Sequence, residues 1–261
     1  MILSPPLATL GPGLAVAGYL ASLLRATDAR PWPRQAWLLG WGCHGITLML
    51  AALWHEGDGV RMGFGPVLSF TVWLVLLVHA VEARFVQVGT VRRVLAALGA
   101  AAVLVGAWFP GEALVVAHSP WSPVHWLLGI ASYGLFGAAV LHGLMLDAAD
   151  RQLRERRPGV VLGLPLLKLE RLTFRFVEAG FVVLSLAMLL GAVSGQWRWD
   201  HKTVLSSLGW LTFAALVAGR RLQGWRGLRA TRWLYAGTLL LLLAYVGSRF
   251  VMEVLIRRPP G

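Results

Sequence analysis

Apolar runs of about twenty residues recur along this chain, and nearly every charge lies between them rather than within them. A segment buried in hydrocarbon must satisfy its own backbone N–H and C=O groups, which leaves an α-helix or a closed barrel. Runs of this length suit helices, because about 20 residues at roughly 1.5 Å each span a hydrocarbon core, whereas a barrel strand needs about ten. Eight runs qualify, at approximately 7–24, 35–54, 66–86, 91–109, 124–146, 172–193, 203–219 and 233–255. The expected fold is all-α: a polytopic membrane protein, one integral membrane domain over 1–261, built as a bundle of about eight transmembrane helices.

Charged residues make up 14% of the chain, against about 25% in a soluble domain. In a soluble protein the net charge of +12 would suggest nucleic acid. Here the basic residues sit at the ends of apolar runs, the pattern that orients a membrane protein, so no nucleic-acid partner is expected and the bilayer itself is the surrounding partner. Eighteen of the Lys and Arg residues flank the connectors after runs 1, 3, 5 and 7, and six lie on the other side: Arg61, Arg198, Lys202, Arg249, Arg257 and Arg258. The positive-inside rule places the first set in the cytoplasm. Both termini are then extracytoplasmic, as are connectors 110–123 and 195–202, in a multi-pass protein of the cell inner membrane. No basic stretch precedes the first apolar run, which therefore reads as a span and not a cleaved signal. Cys43 is the sole cysteine, which excludes an internal disulfide, a CxxC redox pair and a cysteine zinc site.

The connector Gly195-Gln-Trp-Arg-Trp-Asp-His-Lys202 departs most from a simple turn. Trp197 and Trp199 offer a flat aromatic surface, next to a carboxylate (Asp200), a histidine (His201) and Lys202. His125 opens the fifth run at the same expected depth. Two neutral imidazoles from different helices, beside indole rings, suit axial ligation of haem iron. The plainer alternative is a pair of ordinary interfacial histidines. His125, Gly129, Ser132 and Tyr133 share one helix face, where small residues admit a flat ligand or simply a neighbouring helix. His44 and His79 lie deeper, at similar depth, and form a second candidate pair; for His79 a satisfied core histidine is the preferred reading. His142 reads as interfacial, and His55 and His118 as connector alternatives. Glu82, Glu178 and Glu253 read as structural, Glu253 through a pair with Arg249 one turn away.

These residues together resemble the cytochrome c assembly protein superfamily, the WWD-type haem-handling membrane proteins of CcsA/CcmC type. The likeness is carried by His125-Trp-Leu-Leu-Gly-Ile-Ala-Ser-Tyr133, Leu169-Glu-Arg-Leu-Thr-Phe174, Ala179-Gly-Phe181 and Gly191-Ala192. It continues through Trp197-Arg-Trp-Asp-His-Lys-Thr203, Gly209-Trp210, Gly224-Trp-Arg-Gly227 and Tyr245-Val-Gly247. Leu38-Leu-Gly-Trp41 with His44, and the stretch from Phe64 to Trp73, are similar to the short eight-span YpjD/HemX-like branch. The resemblance implies b-type haem held at the outer face between histidines and a tryptophan-rich loop. Carried over, His125 matches the histidine preceding the loop, and Trp197, Trp199 and Asp200 match the loop itself. The partners it implies are haem, other cytochrome c maturation proteins and apocytochrome.

The chain departs from the synthases in two respects. Its loop is far shorter, and no histidine follows His201. His201 is then the natural second iron ligand, with His44 as a deeper one. The departures point to a haem-binding or haem-transfer accessory and away from a self-sufficient cytochrome c synthase. Two other classes stay open: a small-molecule or ion transporter, which needs mid-membrane ionisable groups beyond His44 and His79, and a membrane scaffold or regulator acting through the basic 147–171 connector.

Overall fold

The computed structural model describes residues 5–24, 32–53, 59–82, 89–111, 113–116, 121–155, 166–194 and 197–256. Helices fill the expected spans: α1 Pro5–Ala21, α2 Trp32–Leu53, α3 Phe64–Glu82, α4 Gly89–Trp108, α5 Ser122–Arg154, α6 Leu166–Val193, α7 His201–Gln223 and α8 Gly227–Leu242. Beyond Leu242 the last helix continues through a π turn at Leu243–Gly247, a short α turn at Ser248–Phe250 and a second π turn at Val251–Leu255. Among the described residues, six stretches are long and apolar enough to cross a membrane, the last being Gly227–Leu255. Large apolar side chains such as Leu39, Leu127, Leu189 and Val193 are exposed, as a lipid-facing surface requires. The protein is a polytopic helical membrane bundle.

Among the described residues, regular structure also falls in two of the connectors. Strands β1, Gly59–Met62, and β2, Ala113–Val116, pair antiparallel with Gly59 opposite Val116 and Met62 opposite Ala113. Four residues are too few to show a period-2 pattern against a flanking apolar run.

By its internal contacts the chain forms two compact units, Met1–Val116 with Met252–Gly261, and Ala117–Val251. In the first unit α1 and α2 meet backbone to backbone. A Cβ on Gly18 would fall 2.7 Å from the Gly40 backbone, and one on Gly40 would fall 2.9 Å from the Tyr19 amide. Lipid supplies no hydrophobic force between helices, so this close approach is how they gain packing. Tyr19, His44, Leu76 and Leu95 fill the buried centre. Trp41 and Trp73 stack with ring centroids 5.2 Å apart, and each indole N–H donates to the other residue's carbonyl. Glu253 is placed by the start of α3, where Oε2 accepts from the Phe64 amide at 3.4 Å, a site favourable to negative charge.

Arg92 of α4 donates to the carbonyls of Ser22, Leu24 and Pro33, where α1 ends and α2 begins. The last carbonyls of a helix lack intrahelical partners, and one guanidinium fork serves several of them. Arg92→Met is expected to destabilise the protein by about 2–3 kcal/mol, with Arg92→Lys recovering only part. Thermal unfolding in detergent checks this.

In the second unit the centre is a stacked pair, Phe136 of α5 on Phe213 of α7, with centroids 3.8 Å apart. Gly180 of α6 lies under Phe136 and Gly237 of α8 under Phe213, each 2.9 Å from the ring at its would-be Cβ. Helix α5 has 33 residues, about 50 Å. It runs well past the expected end at 146, and α6 begins at Leu166, ahead of the expected 172. Much of the supposed 147–171 connector is therefore helix. Its charges are compatible with a helix leaving the bilayer, as the Asp150–Arg154 pair at 3.0 Å, one turn apart, shows. His142, expected at the interface, is instead buried within the lengthened α5, with Nδ1 on the Ala138 carbonyl and the ring 5.3 Å from Phe176. Glu178 pairs with Arg221 of α7 at 3.2 Å, and Glu170 with Arg220 at 3.3 Å. Gly224 takes φ +64 at the end of α7, so that the Trp225 amide returns to the Gly219 carbonyl and the Trp225 indole covers Gly219. The left-handed turn is what the first glycine of Gly-Trp-Arg-Gly supplies.

Candidate functional site

His125 stands in the first turn of α5, half-buried against α6. Its Nδ1 is 2.8 Å from the Ala187 carbonyl. A carbonyl only accepts, so in the neutral ring Nδ1 carries the proton and Nε2 presents its lone pair. A backbone or carboxylate acceptor on the far nitrogen is what fixes a metal-ligating histidine in its tautomer and orientation. Gly191, one turn beyond Ala187, makes room for the ring: a Cβ there would lie 2.9 Å from Cε1 and 3.2 Å from Nδ1. At Gly129, one turn along α5 from His125, a Cβ would meet nothing within 4 Å. Ser132 bonds the Gly129 carbonyl at 2.7 Å, and the Tyr133 hydroxyl donates to the Leu241 carbonyl of α8 at 2.6 Å.

The connector before α7 lies in the same unit. Its described part begins at Trp197; Gly195 and Gln196 lie outside the described residues. Trp197 and Trp199 meet edge to face at 84°, with centroids 5.7 Å apart. The expected flat double surface is therefore a corner, the arrangement that ring quadrupoles favour. Trp199 is 79% exposed and Trp197 half-buried. Asp200 is the N-cap of α7, and its side chain accepts from the Thr203 amide at 2.9 Å. The Thr203 hydroxyl closes the turn on the Arg198 carbonyl at 2.5 Å. His201 follows as the first residue of α7 and is exposed. The structure thus brings Trp197, Trp199, Asp200 and His201 into one capped turn and packs His125 of α5 against α6.

Partial burial pushes the Asp200 carboxyl up, but hydrogen bonding from Thr203, chiefly its amide, and the charges of Lys202 and His201 outweigh it, and its pKa falls below the ordinary value. A carboxyl lowered on folding adds stability that is complete above its unfolded value, about 3.9, and is lost as pH falls through the lower folded value. Asp200→Ala is expected to cost about 1 kcal/mol at neutral pH. The gap between the two proteins' melting temperatures should close below about pH 3.9 and stay constant above it.

His44 is buried in the first unit with both ring nitrogens engaged, Nδ1 to the Tyr19 hydroxyl at 3.1 Å and Nε2 to the Ser69 hydroxyl at 2.8 Å. Iron ligation by His44 would require breaking one of these bonds. His79 is buried edge-on against Trp37, with centroids 5.6 Å apart. His55 and His118 lie outside the described residues. Among the described residues, no group of three or more His, Cys, Asp or Glu side chains converges as a metal cage. Sequence reasoning missed the roles of the Ala187 carbonyl and of Gly191 as the support of His125. The Gly191-Ala192 pair was the only signal pointing there.

The chain is similar to known proteins along most of its length. The family model of the cytochrome C assembly proteins matches residues 32–256. The inner membrane protein YpjD of Escherichia coli (strain K12) is 26% identical over 219 residues, covering 82% of this chain and 83% of its own length. The cytochrome c biogenesis protein CcsA of Prochlorococcus marinus (strain MIT 9515) is 31% identical over 90 residues, 32% of this chain and 29% of its own. An Azospirillum brasilense protein of 28.8 kDa is 29% identical over 144 residues, about half of each chain. No solved structure matches. The family match spans the second to the last helix and takes in both His125 and the Trp197–His201 turn: the chain belongs to the cytochrome c assembly protein family.

Proposed function

We propose that this protein binds b-type haem at the end of its second unit where α5 and α7 begin, and that it serves haem handling or delivery in cytochrome c biogenesis at the inner membrane. The observation that carries the reading is His125. The Ala187 carbonyl sets its tautomer, Gly191 seats its ring, and Nε2 is left to bind iron. When bound, haem would supply the iron centre and the planar ring. Of the chain's residues, His125 would hold the iron and His201 would supply the second ligand. Trp197 and Trp199 would flank the ring, and Asp200 would fix the turn that presents them. His44, already bonded on both nitrogens, fits a structural role better than a ligand role. The positive-inside count puts this end, and both termini, on the extracytoplasmic side, where apocytochrome or other maturation proteins would receive the haem. Binding and transfer need no acid–base or nucleophilic set, which suits an accessory better than a complete synthase.

The test is a haem titration of the detergent-purified protein. A saturable Soret band is expected for the wild type, and its loss in the His125→Ala, His201→Ala double variant. A wild type without the band, or a double variant with an unchanged one, overturns the proposal.

A further inference from the structure

At the end of the second unit away from His125, α7 stops and α8 begins through the corner Gly224-Trp-Arg-Gly227. Trp225 is fixed in that corner. Its ring lies on Gly219, its indole N–H donates to Gln223 Oε1 at 2.8 Å, and its carbonyl accepts from Arg220 at 3.2 Å. The ring meets Trp233 with centroids 5.3 Å apart, and the Arg229 guanidinium lies over it at 4.2 Å. Stacking on an aromatic face holds a guanidinium in place and leaves its N–H edge available to an anion.

The arginines at this corner fall into two sets. Arg220 and Arg221 of α7 pair with Glu170 and Glu178 of α6. Arg226, Arg229 and Arg232 are exposed and, among the described residues, pair with no carboxylate. Asp147 of α5, which reaches α8, accepts instead from the Thr231 and Tyr235 hydroxyls. Three arginines spaced three residues apart repel one another on a helix surface. They end where the apolar run begins, at Trp233. From there one exposed stripe of α8 passes from charge to hydrocarbon: Arg229 and Arg232, then Ala236, Leu239 and Leu243, three or four residues apart.

We infer that the α7–α8 corner is a binding site for an anionic phospholipid, whose phosphate is held by Arg226, Arg229 and Arg232 and whose acyl chains lie along the exposed stripe of α8. A guanidinium fork matches phosphate oxygens, and these charge-assisted bonds are the strong kind. Basic residues next to the bilayer draw anionic lipid, and a tryptophan such as Trp233 belongs at the headgroup level. The site stands apart from the haem reading, at the other end of the helices.

The experiment titrates the detergent-purified full-length protein with phosphatidylglycerol and with phosphatidylcholine, whose headgroup is neutral overall, and counts bound lipid by native mass spectrometry. The wild type is expected to hold one phosphatidylglycerol about tenfold or more tightly than phosphatidylcholine. Arg226→Gln with Arg229→Gln and Arg232→Gln should bring that ratio close to one. Lys168→Gln with Arg171→Gln and Arg175→Gln removes as much charge from exposed positions of α6 at the same end and should leave the ratio unchanged. The ratio is taken within one preparation, so a misfolded fraction cancels. Millimolar glycerol phosphate should fail to displace the bound lipid. No preference in the wild type, an unchanged preference in the α8 variant, or equal losses in the two triple variants overturns the inference, the last because a diffuse field would then be acting and not a site. Displacement by glycerol phosphate overturns the lipid assignment in favour of a soluble phosphate compound.

Discussion

Haem affinity is expected to fall about tenfold or more in Gly191→Ala, although Gly191 has no side chain to offer, and about 100-fold or more in His125→Ala. The reason lies in the 2.9 Å between the imidazole Cε1 and the place where a Cβ would stand. Real Cβ contacts are not that short. The ring must swing off α6, and in swinging it gives up the Ala187 carbonyl that holds the proton on Nδ1. A loosened ring samples orientations in which Nε2 no longer faces the ligand. Gly191→Leu should approach His125→Ala. A Soret titration of each variant measures the effect. The melting temperature without haem should change less in relative terms than the affinity, because what moves is one half-buried ring and the hydrogen bond it makes.

Gly18→Leu is expected to have the largest effect on folding, about 3 kcal/mol or more, with Gly18→Ala at about 1–3 kcal/mol. At this point nothing flexible can yield. The neighbours of the added Cβ are the Cα and amide of Gly40 at 2.7 Å and the Ala36 carbonyl at 2.8 Å, so one helix must move off the other. Separating α1 from α2 also strains the bond from Tyr19 to His44. Gly13 on the same helix is the control, since its Cβ would meet nothing within 4 Å. Gly13→Ala should be neutral or stabilising by up to about 1 kcal/mol, because alanine favours the helical backbone. Thermal melts of the three variants in one detergent decide it.

The spans were legible because hydrocarbon imposes a length and a composition that no tertiary contact overrides. Their ends were less so. Asp150 and Arg154 look like the charges of a connector, yet one turn apart they pair along a helix that carries on past the apolar run. His142 was misplaced for the same reason: once α5 runs to Arg154, a residue near its supposed end becomes an interior one. The candidate site was legible in its parts and not in its assembly. A histidine opening a span and a paired-tryptophan turn stand out in sequence. The partner of His125 is a main-chain carbonyl 62 residues away, and carbonyls have no sequence signature. Likewise, nothing in the Trp197–Trp199 spacing dictates that the rings meet edge to face.

The central claim is that His125 Nε2 is the ligand that holds haem iron, and chemical rescue of His125→Gly tests it most directly. The glycine variant, titrated with haem in detergent, should show little or no Soret band. Free imidazole in the millimolar range should restore a band of the wild-type position, by occupying the space the side chain has left between α5 and Gly191. A glycine variant that binds haem as the wild type does, or one whose lost band imidazole fails to restore although the protein melts normally, would contradict the account.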